Sequence, residues 1–336
     1  MKRNMKKWLD DMIGQKKKKP LPILSFPSVS LLGMSVRELI SDSTAQARGM
    51  SMTAQRCDTA ASVSLMDLSV EAECFGASVR FSDDEVPTIV GRLVHDEEEA
   101  DALAVPQVGT ARSGLYIDAV RQAVGMITDR PVLAGMIGPF SLAARLLDVT
   151  EIMMDCYDEP DMVHTVLEKC TEFLINYARA YKEAGANGIM LAEPVSGLLS
   201  PSLEEEFSSP YVRQIAEAVQ DDSFVLIYHN CGGNTPAMTG SILSTGAAAY
   251  HFGNAVDMRE MLAKFPEDTV VMGNVDPAAV LRLGTPVNVR EETLRIMGEC
   301  SAYPNFVVSS GCDMPPMTPW ENIDAFFSAA EEFYGQ

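Results

Sequence analysis

Positive charge is scarce in this sequence. Across 336 residues, 26 Lys and Arg face 47 Asp and Glu, a net charge of −21. Nucleic-acid phosphates require a basic surface, so nucleic acid is excluded as a partner. There is no run of 18 apolar residues, which excludes a membrane-spanning helix. The N-terminal stretch lacks the continuous apolar segment of a secretory signal. Seven cysteines, an odd number, in a chain without that signal point to a reduced, cytoplasmic protein. Low hydrophobicity is absent too: 47% of residues are hydrophobic, which excludes a disordered chain.

The basic residues that do occur are crowded at one end. Residues 1–19 hold eight Lys and Arg and two Asp, while the remainder carries 18 basic against 45 acidic residues. In the same stretch Met5, Trp8, Leu9, Met12 and Ile13 recur at helical spacing. Residues 1–20 are therefore expected to form a basic amphipathic helix that lids one end of the fold. Contact with an anionic membrane or an acidic partner is the alternative use of such a helix. The 20 methionines read as core filler, in a number that an anaerobic host would tolerate.

Short apolar runs without alternation recur along residues 21–336: 21–28, 60–67, 130–139, 187–194, 224–231, 246–254, 268–277 and 305–315. Such runs mark strands buried on both faces. Helical patterns lie between them, the clearest over 160–185, where Met162, Val163, Val166, Leu167, Cys170, Phe173, Leu174, Tyr177 and Tyr181 form one apolar stripe. Strand–helix alternation with eight strands predicts a single α/β domain, a (β/α)8 TIM barrel with the N-terminal helix as an extension. The long stretch 76–130 between the second and third strands is expected to be an insertion over one face. A doubly wound sheet would bring a Gly-rich phosphate loop after its first strand, and "PSVSLLGMSV" is not one.

Barrel enzymes place their chemistry at the C-terminal strand ends. Those positions hold Asp67, Glu193, His229, Cys231, His251, Asn254, Asn274, Asp276, Cys312 and Asp313. His229 and Cys231, two apart at a strand end, can share a face, and Cys312 ends the last strand. One imidazole and two thiolates form a zinc set, and three protein ligands leave a fourth position open for substrate. His95 and His164 read as solvated, and Cys170 and Cys300 as core residues. Cys57, Cys74 and Cys156 have no ligand pattern beside them.

"YHNCGG" followed by "SSGCDMPPMTPWENI", with "GPFSLAARLLDV", "GNVDP" and "TPWENIDAF", resembles the corrinoid-dependent methyltransferase branch of the uroporphyrinogen decarboxylase superfamily, the methylcobamide:coenzyme M methyltransferases and their bacterial relatives. The resemblance runs through nearly the whole chain. It implies zinc at His229, Cys231 and Cys312, and transfer of a methyl group from a methyl-Co(III) corrinoid, carried on a corrinoid-binding partner protein, to a small thiol acceptor. Zinc would keep that thiol ionised, because the thiolate is the nucleophile. Glu193, His251 and Asp276 are the candidates for proton transfer or acceptor orientation. Asp67, Asn254 and Asp313 are candidate supporting contacts to metal, acceptor or corrinoid.

Two other functions fit parts of this pattern. A uroporphyrinogen decarboxylase would carry an Arg-containing segment after the first strand to grip substrate carboxylates, but no Arg occurs there before Arg37. A zinc-binding accessory subunit could dock the corrinoid protein without catalysis. The segment "YHFGNAVD" after the sixth strand departs from the branch: His251 and Asn254 stand where many coenzyme M enzymes have an acidic residue near the metal.

Overall fold

The computed structural model describes residues 3–335. Its strands are β1 (Ser62–Val63), β2 (Ser78–Arg80), β3 (Thr88–Val90), β4 (Val132–Ile137), β5 (Gly188–Ala192), β6 (Val225–Asn230), β7 (Ala249–Phe252), β8 (Val270–Val275) and β9 (Phe306–Ser310). Every residue of β4 to β9 is buried, as continuous apolar runs require when helices cover one face and a barrel interior the other. Seven strands form one parallel sheet in the order β1-β4-β5-β6-β7-β8-β9. The helix Pro160–Glu183, in the crossover from β4 to β5, is the longest among the described residues and buries the stripe read from the sequence, from Met162 to Tyr181.

The expected first strand, 21–28, is not a ladder strand. Pro20 and Pro22 have no N–H to donate, so a regular parallel ladder cannot form there. The segment is nonetheless buried from Pro20 to Val29 and stands in the gap between β9 and β1. Leu21 N–H donates to Val308 O at 3.1 Å on one side, and Ala60 N–H donates to Pro20 O at 2.9 Å on the other. Ile23 N–H turns to a side chain, Ser310 Oγ, at 3.1 Å. The barrel therefore closes through seven ladder strands and one irregular extended segment, a (β/α)8-type fold.

Alternation along each strand sorts side chains into two clusters. Tyr228, Leu226, Tyr250 and Phe252 face the helices, whereas Val225, Ile227, Ala249, Val270, Met272 and Val307 fill the barrel interior. The helix Met5–Gly14, capped by Asn4 on Lys7 N–H, adds Met5 and Met12 to that interior cluster. Met5 N–H donates to Asp222 O at 2.7 Å, at the turn that precedes β6, so this helix closes the N-terminal end of the barrel. Burying each Met side chain is worth about 1.5–3 kcal/mol.

Between β1 and β4 the chain forms a short helix, Val70–Phe75, an antiparallel ribbon, β2 with β3, and two further helices, Glu97–Ala102 and Ser113–Met126. The last of these packs beside Ser43–Arg56 and leads into β4 as an ordinary crossover. Among the described residues no helix is long and apolar enough to cross a membrane.

Candidate metal centre

The interior of the barrel changes character at its C-terminal end. One pleat above Ile227 on β6 comes His229, and above Ala249 on β7 comes His251. The β6–β7 register pairs these two residues directly. On β9 the next inward residue after Val307 is Ser309. All three are buried, and they are hydrogen-bonded in series. The Ser309 hydroxyl donates to Leu21 O at 2.7 Å. Its oxygen, 2.6 Å from His251 Nε2, therefore accepts the proton on that nitrogen. His251 Nδ1 is then left as an acceptor and takes the Nδ1 proton of His229 at 2.8 Å. Burial holds His251 well below the ordinary imidazole range, which keeps it neutral.

The series ends on His229 Nε2, which must carry a lone pair. That atom is buried and has no hydrogen-bond partner among the described residues. A buried polar atom without a partner costs about 1–3 kcal/mol, so its place in the fold calls for an explanation. His229, Cys231 and Cys312 offer ligand atoms that all lie within 4.8 Å of one another. The sulfurs interact: a hydrogen bond from Cys312 lowers the Cys231 thiol, and the same hydrogen bond, burial and the Cys231 charge raise Cys312. Two soft thiolates and one imidazole lone pair fit a zinc ion, with a fourth position left to a non-protein ligand.

The loops that carry these ligands are tightly fixed. Asn230 is fully buried, donates to Ser196 Oγ and Tyr228 Oη at 3.0 Å each, and accepts from Gly232 N–H at 2.9 Å and Thr235 Oγ1 at 3.1 Å. It thereby sets the turn that presents Cys231. A Cβ on Gly253 would lie 2.5 Å from Cys231 Cβ, so only glycine lets the loop after β7 pass this close. Cys312 follows β9 and lines a cavity of about 440 Å³ together with Asp313, Met66, Leu68 and the β2–β3 ribbon.

Other sequence-selected residues lie elsewhere or have their atoms engaged. Glu193 is fully buried and accepts from Phe140 N–H (2.8 Å), Ser141 N–H (2.9 Å) and Ser141 Oγ (2.7 Å). It caps the helix Pro139–Leu147, whose own N-cap, Gly138, has no side chain to do so. Burial outweighs those hydrogen bonds and pushes its carboxyl up to about 7. Asp67 is bound by Arg112, Tyr116 and Ser69. Asp276 caps the helix Pro277–Arg282 and accepts from Asn254 Nδ2 at 2.8 Å. Asn274 anchors the loop after β7 through Gly253 O and Val256 O. These three residues, Asn254, Asn274 and Asp276, line a separate polar cavity that none of the metal-set residues lines. His251 was read as facing the acceptor; with both ring nitrogens engaged inside the protein, it has no atom to offer one. Asp313 stands beside Cys312 on the cavity wall and accepts from Ser25 Oγ at 3.4 Å.

His95 is exposed and pairs with Glu99. His164 is not simply solvated: it stacks on Phe207 with ring centroids 4.6 Å apart and lies 2.6 Å from Tyr211 Oη. Cys170 and Cys300 are buried, as are Cys57, Cys74 and Cys156. Sequence reading passed over Ser309, Asn230, Glu71 and Arg145. Glu71 is buried, accepts from Ile137 N–H at 3.1 Å and has one oxygen without a partner among the described residues; burial pushes it up to about 8.

A family model for uroporphyrinogen decarboxylase (URO-D) matches residues 28–333. The chain belongs to this family. Among its relatives, the chain is 28% identical to the methylcobamide:CoM methyltransferase MtbA of Methanosarcina mazei, over 80% of this chain and 78% of that protein. It is 30% identical to the uroporphyrinogen decarboxylase of Coxiella burnetii, over 74% of this chain and 70% of that protein. A solved methyltransferase from Methanosarcina mazei shares the fold with a TM-score of 0.86 at 22% identity, covering 99% of both chains. Membership of the family thus spans two activities, and the site must choose between them.

Proposed function

We propose that this protein is a zinc-dependent methyltransferase that moves a methyl group from a methylated corrinoid, carried by a partner protein, to a thiol acceptor. The observation that carries the reading is His229 Nε2, a buried lone pair without a partner among the described residues, grouped with two cysteine sulfurs within 4.8 Å. His229, Cys231 and Cys312 would hold the zinc, which supplies a low-pKa environment for an acceptor thiol at the open position.

The chain's own residues explain the rest. His229 would bind as a neutral imidazole, because its single proton is committed to His251. Two cysteine thiolates already cancel a 2+ ion. A zinc ion held there would supply a coordinated thiolate whose electron density is not quenched, because the two cysteine thiolates would already balance the metal charge. Glu193 and His251 have no free base atom toward the cavity, so Asp313, on the cavity wall beside Cys312, is the carboxyl left to steer the acceptor or its proton.

Support also comes from the MtbA relatives, whose named activity is methyl transfer from methylcobamide to CoM. A decarboxylase would need a basic cluster for substrate carboxylates. Arg37, the first Arg after Arg3, instead pairs on the surface with Asp83 at 3.5 Å. A purely accessory role leaves the open coordination position unused.

The test is a pair of assays on one preparation. Zinc-loaded protein should demethylate methylcobalamin in the presence of a thiol, seen in the cobalt absorption spectrum, and should form no coproporphyrinogen from uroporphyrinogen III. Decarboxylation with inert methylcobalamin would reverse the reading. Cys312→Ser should abolish transfer while corrinoid-protein docking persists; a variant that retained full transfer would remove Cys312 from the chemistry.

A further inference from the structure

The loop after β7 is thinned by a glycine that is there for room. Gly253 does not adopt the left-handed φ that Gly246 adopts at 70°, so its backbone conformation is open to alanine. Space is what alanine lacks. A Cβ on Gly253 would lie 2.5 Å from Cys231 Cβ, 2.6 Å from Cys231 Cα and 3.1 Å from Gly311 O. Gly311 directly precedes Cys312. One residue without a side chain therefore touches both loops that carry a thiol.

The contacts continue around the barrel rim. A Cβ on Gly311 would lie 2.7 Å from Asn254 N, and a Cβ on Gly232 would lie 2.4 Å from Gly197 Cα. The loops after β5, β6, β7 and β9 are thus in backbone contact. Hydrogen bonds hold them there. Gly253 N–H donates to Asn230 O at 3.0 Å, and Gly253 O accepts from Asn274 Nδ2 at 2.9 Å. Gly311 N–H donates to Val275 O at 2.6 Å. Behind Cys231, the close approach of Gly232 to Gly197 blocks retreat of its turn on that side.

We propose that Gly253 is a positioning residue that fixes the separation of the Cys231 and Cys312 loops, and that this separation selects zinc over a larger thiophilic ion such as cadmium(II). Soft thiolate ligands accept either ion, so geometry has to discriminate between them. Zinc–sulfur bonds are short, about 2.3 Å, and both sulfurs reach one zinc ion only while their loops stay close. A methyl group on Gly253 needs carbon contacts of about 3.5–4.0 Å, so it would wedge Cys231 and Gly311 apart by about 1 Å. The inference rests on the metal reading above and adds what sets the size of the ion.

The experiment titrates metal-free protein with zinc(II) and with cadmium(II) against a competing chelator. Gly253→Ala should lose zinc affinity about 10- to 100-fold, the range for residues that orient metal ligands, and lose cadmium affinity by a smaller factor. The preference should therefore move toward cadmium. Ultraviolet cadmium–thiolate absorption should be retained, because no ligand is removed. Gly233→Ala is the control: nothing among the described residues lies within 4 Å of its added Cβ, and both affinities should match wild type. Asn274→Ala adds no volume but frees the Gly253 carbonyl, and it should move the preference in the same direction by less. It carries the test if Gly253→Ala does not fold.

Equal loss of both metals in Gly253→Ala would make Gly253 a packing residue only and overturn the proposal. An unchanged preference in Gly253→Ala and Asn274→Ala, with zinc bound by wild type, would overturn the spacing while leaving the zinc reading in place. Wild type that binds neither metal would remove the zinc reading and this proposal together.

Discussion

His229 donates its Nδ1 proton to His251 Nδ1 across 2.8 Å, between two residues that sit directly opposite each other in adjacent parallel strands. The consequence reaches the metal set. As long as Ser309 fills the acceptor role toward His251 Nε2, His251 can only accept at Nδ1, and His229 can only present Nε2 unprotonated.

Removing His251 should therefore weaken the metal without removing a ligand. For His251→Ala, zinc affinity measured by chelator competition should fall about 10- to 100-fold, the range for partners that orient metal-binding histidines. Ser309→Ala should show a smaller loss, because His251 can then adopt either tautomer. Wild-type affinity in His251→Ala would show that His229 needs no orienting partner.

Stability should fall as pH rises toward 8. Glu71 titrates near 8 and Glu193 near 7 in the folded state, against 4.5 for an ordinary glutamate, because burial disfavours their charge. Their stabilising contribution is fully present below about pH 4.5, where both states are protonated. Above it the unfolded chain has released protons that the folded chain still holds, so stability declines until the folded values are passed. Each such proton contributes a slope of about 1.4 kcal/mol per pH unit. Glu71→Gln removes one of them. Urea midpoints between pH 5.5 and 8 should drop less steeply in this variant, which should be the more stable protein at pH 8. Parallel curves for the two proteins would place the Glu71 charge in solvent.

Much of this arrangement was legible in the sequence, for reasons that differ residue by residue. β4 to β9 announce themselves because burial on both faces leaves no polar position to hide them. His229 and Cys231 were readable as a pair, since a spacing of two at a strand end is short-range information. Pro20 and Pro22 spoiled the first strand: the apolar run predicts burial correctly, but the missing N–H groups decide the hydrogen bonding. The orientation of His251 depends on interstrand register, which a single chain does not display. Glu193 looked like a catalytic acid because it ends a strand; its actual partners, Phe140 and Ser141, lie about fifty positions earlier and claim both oxygens. Arg145 did carry a signal, as the lone charge in "GPFSLAARLL", yet only the fold places it on the wall of the Cys312 cavity.

His229, Cys231 and Cys312 are proposed to hold one zinc ion. Metal analysis of protein purified without chelator measures this directly, on wild type, Cys312→Ser and Cys170→Ser side by side. Cys170 is fully buried in the helix Pro160–Glu183, away from the set, and serves as the thiol control. Wild type and Cys170→Ser should each carry about one zinc per chain, as a three-ligand site with an open position requires, and Cys312→Ser should carry little or none. Equal zinc in the two cysteine variants, or none in wild type, would contradict the account.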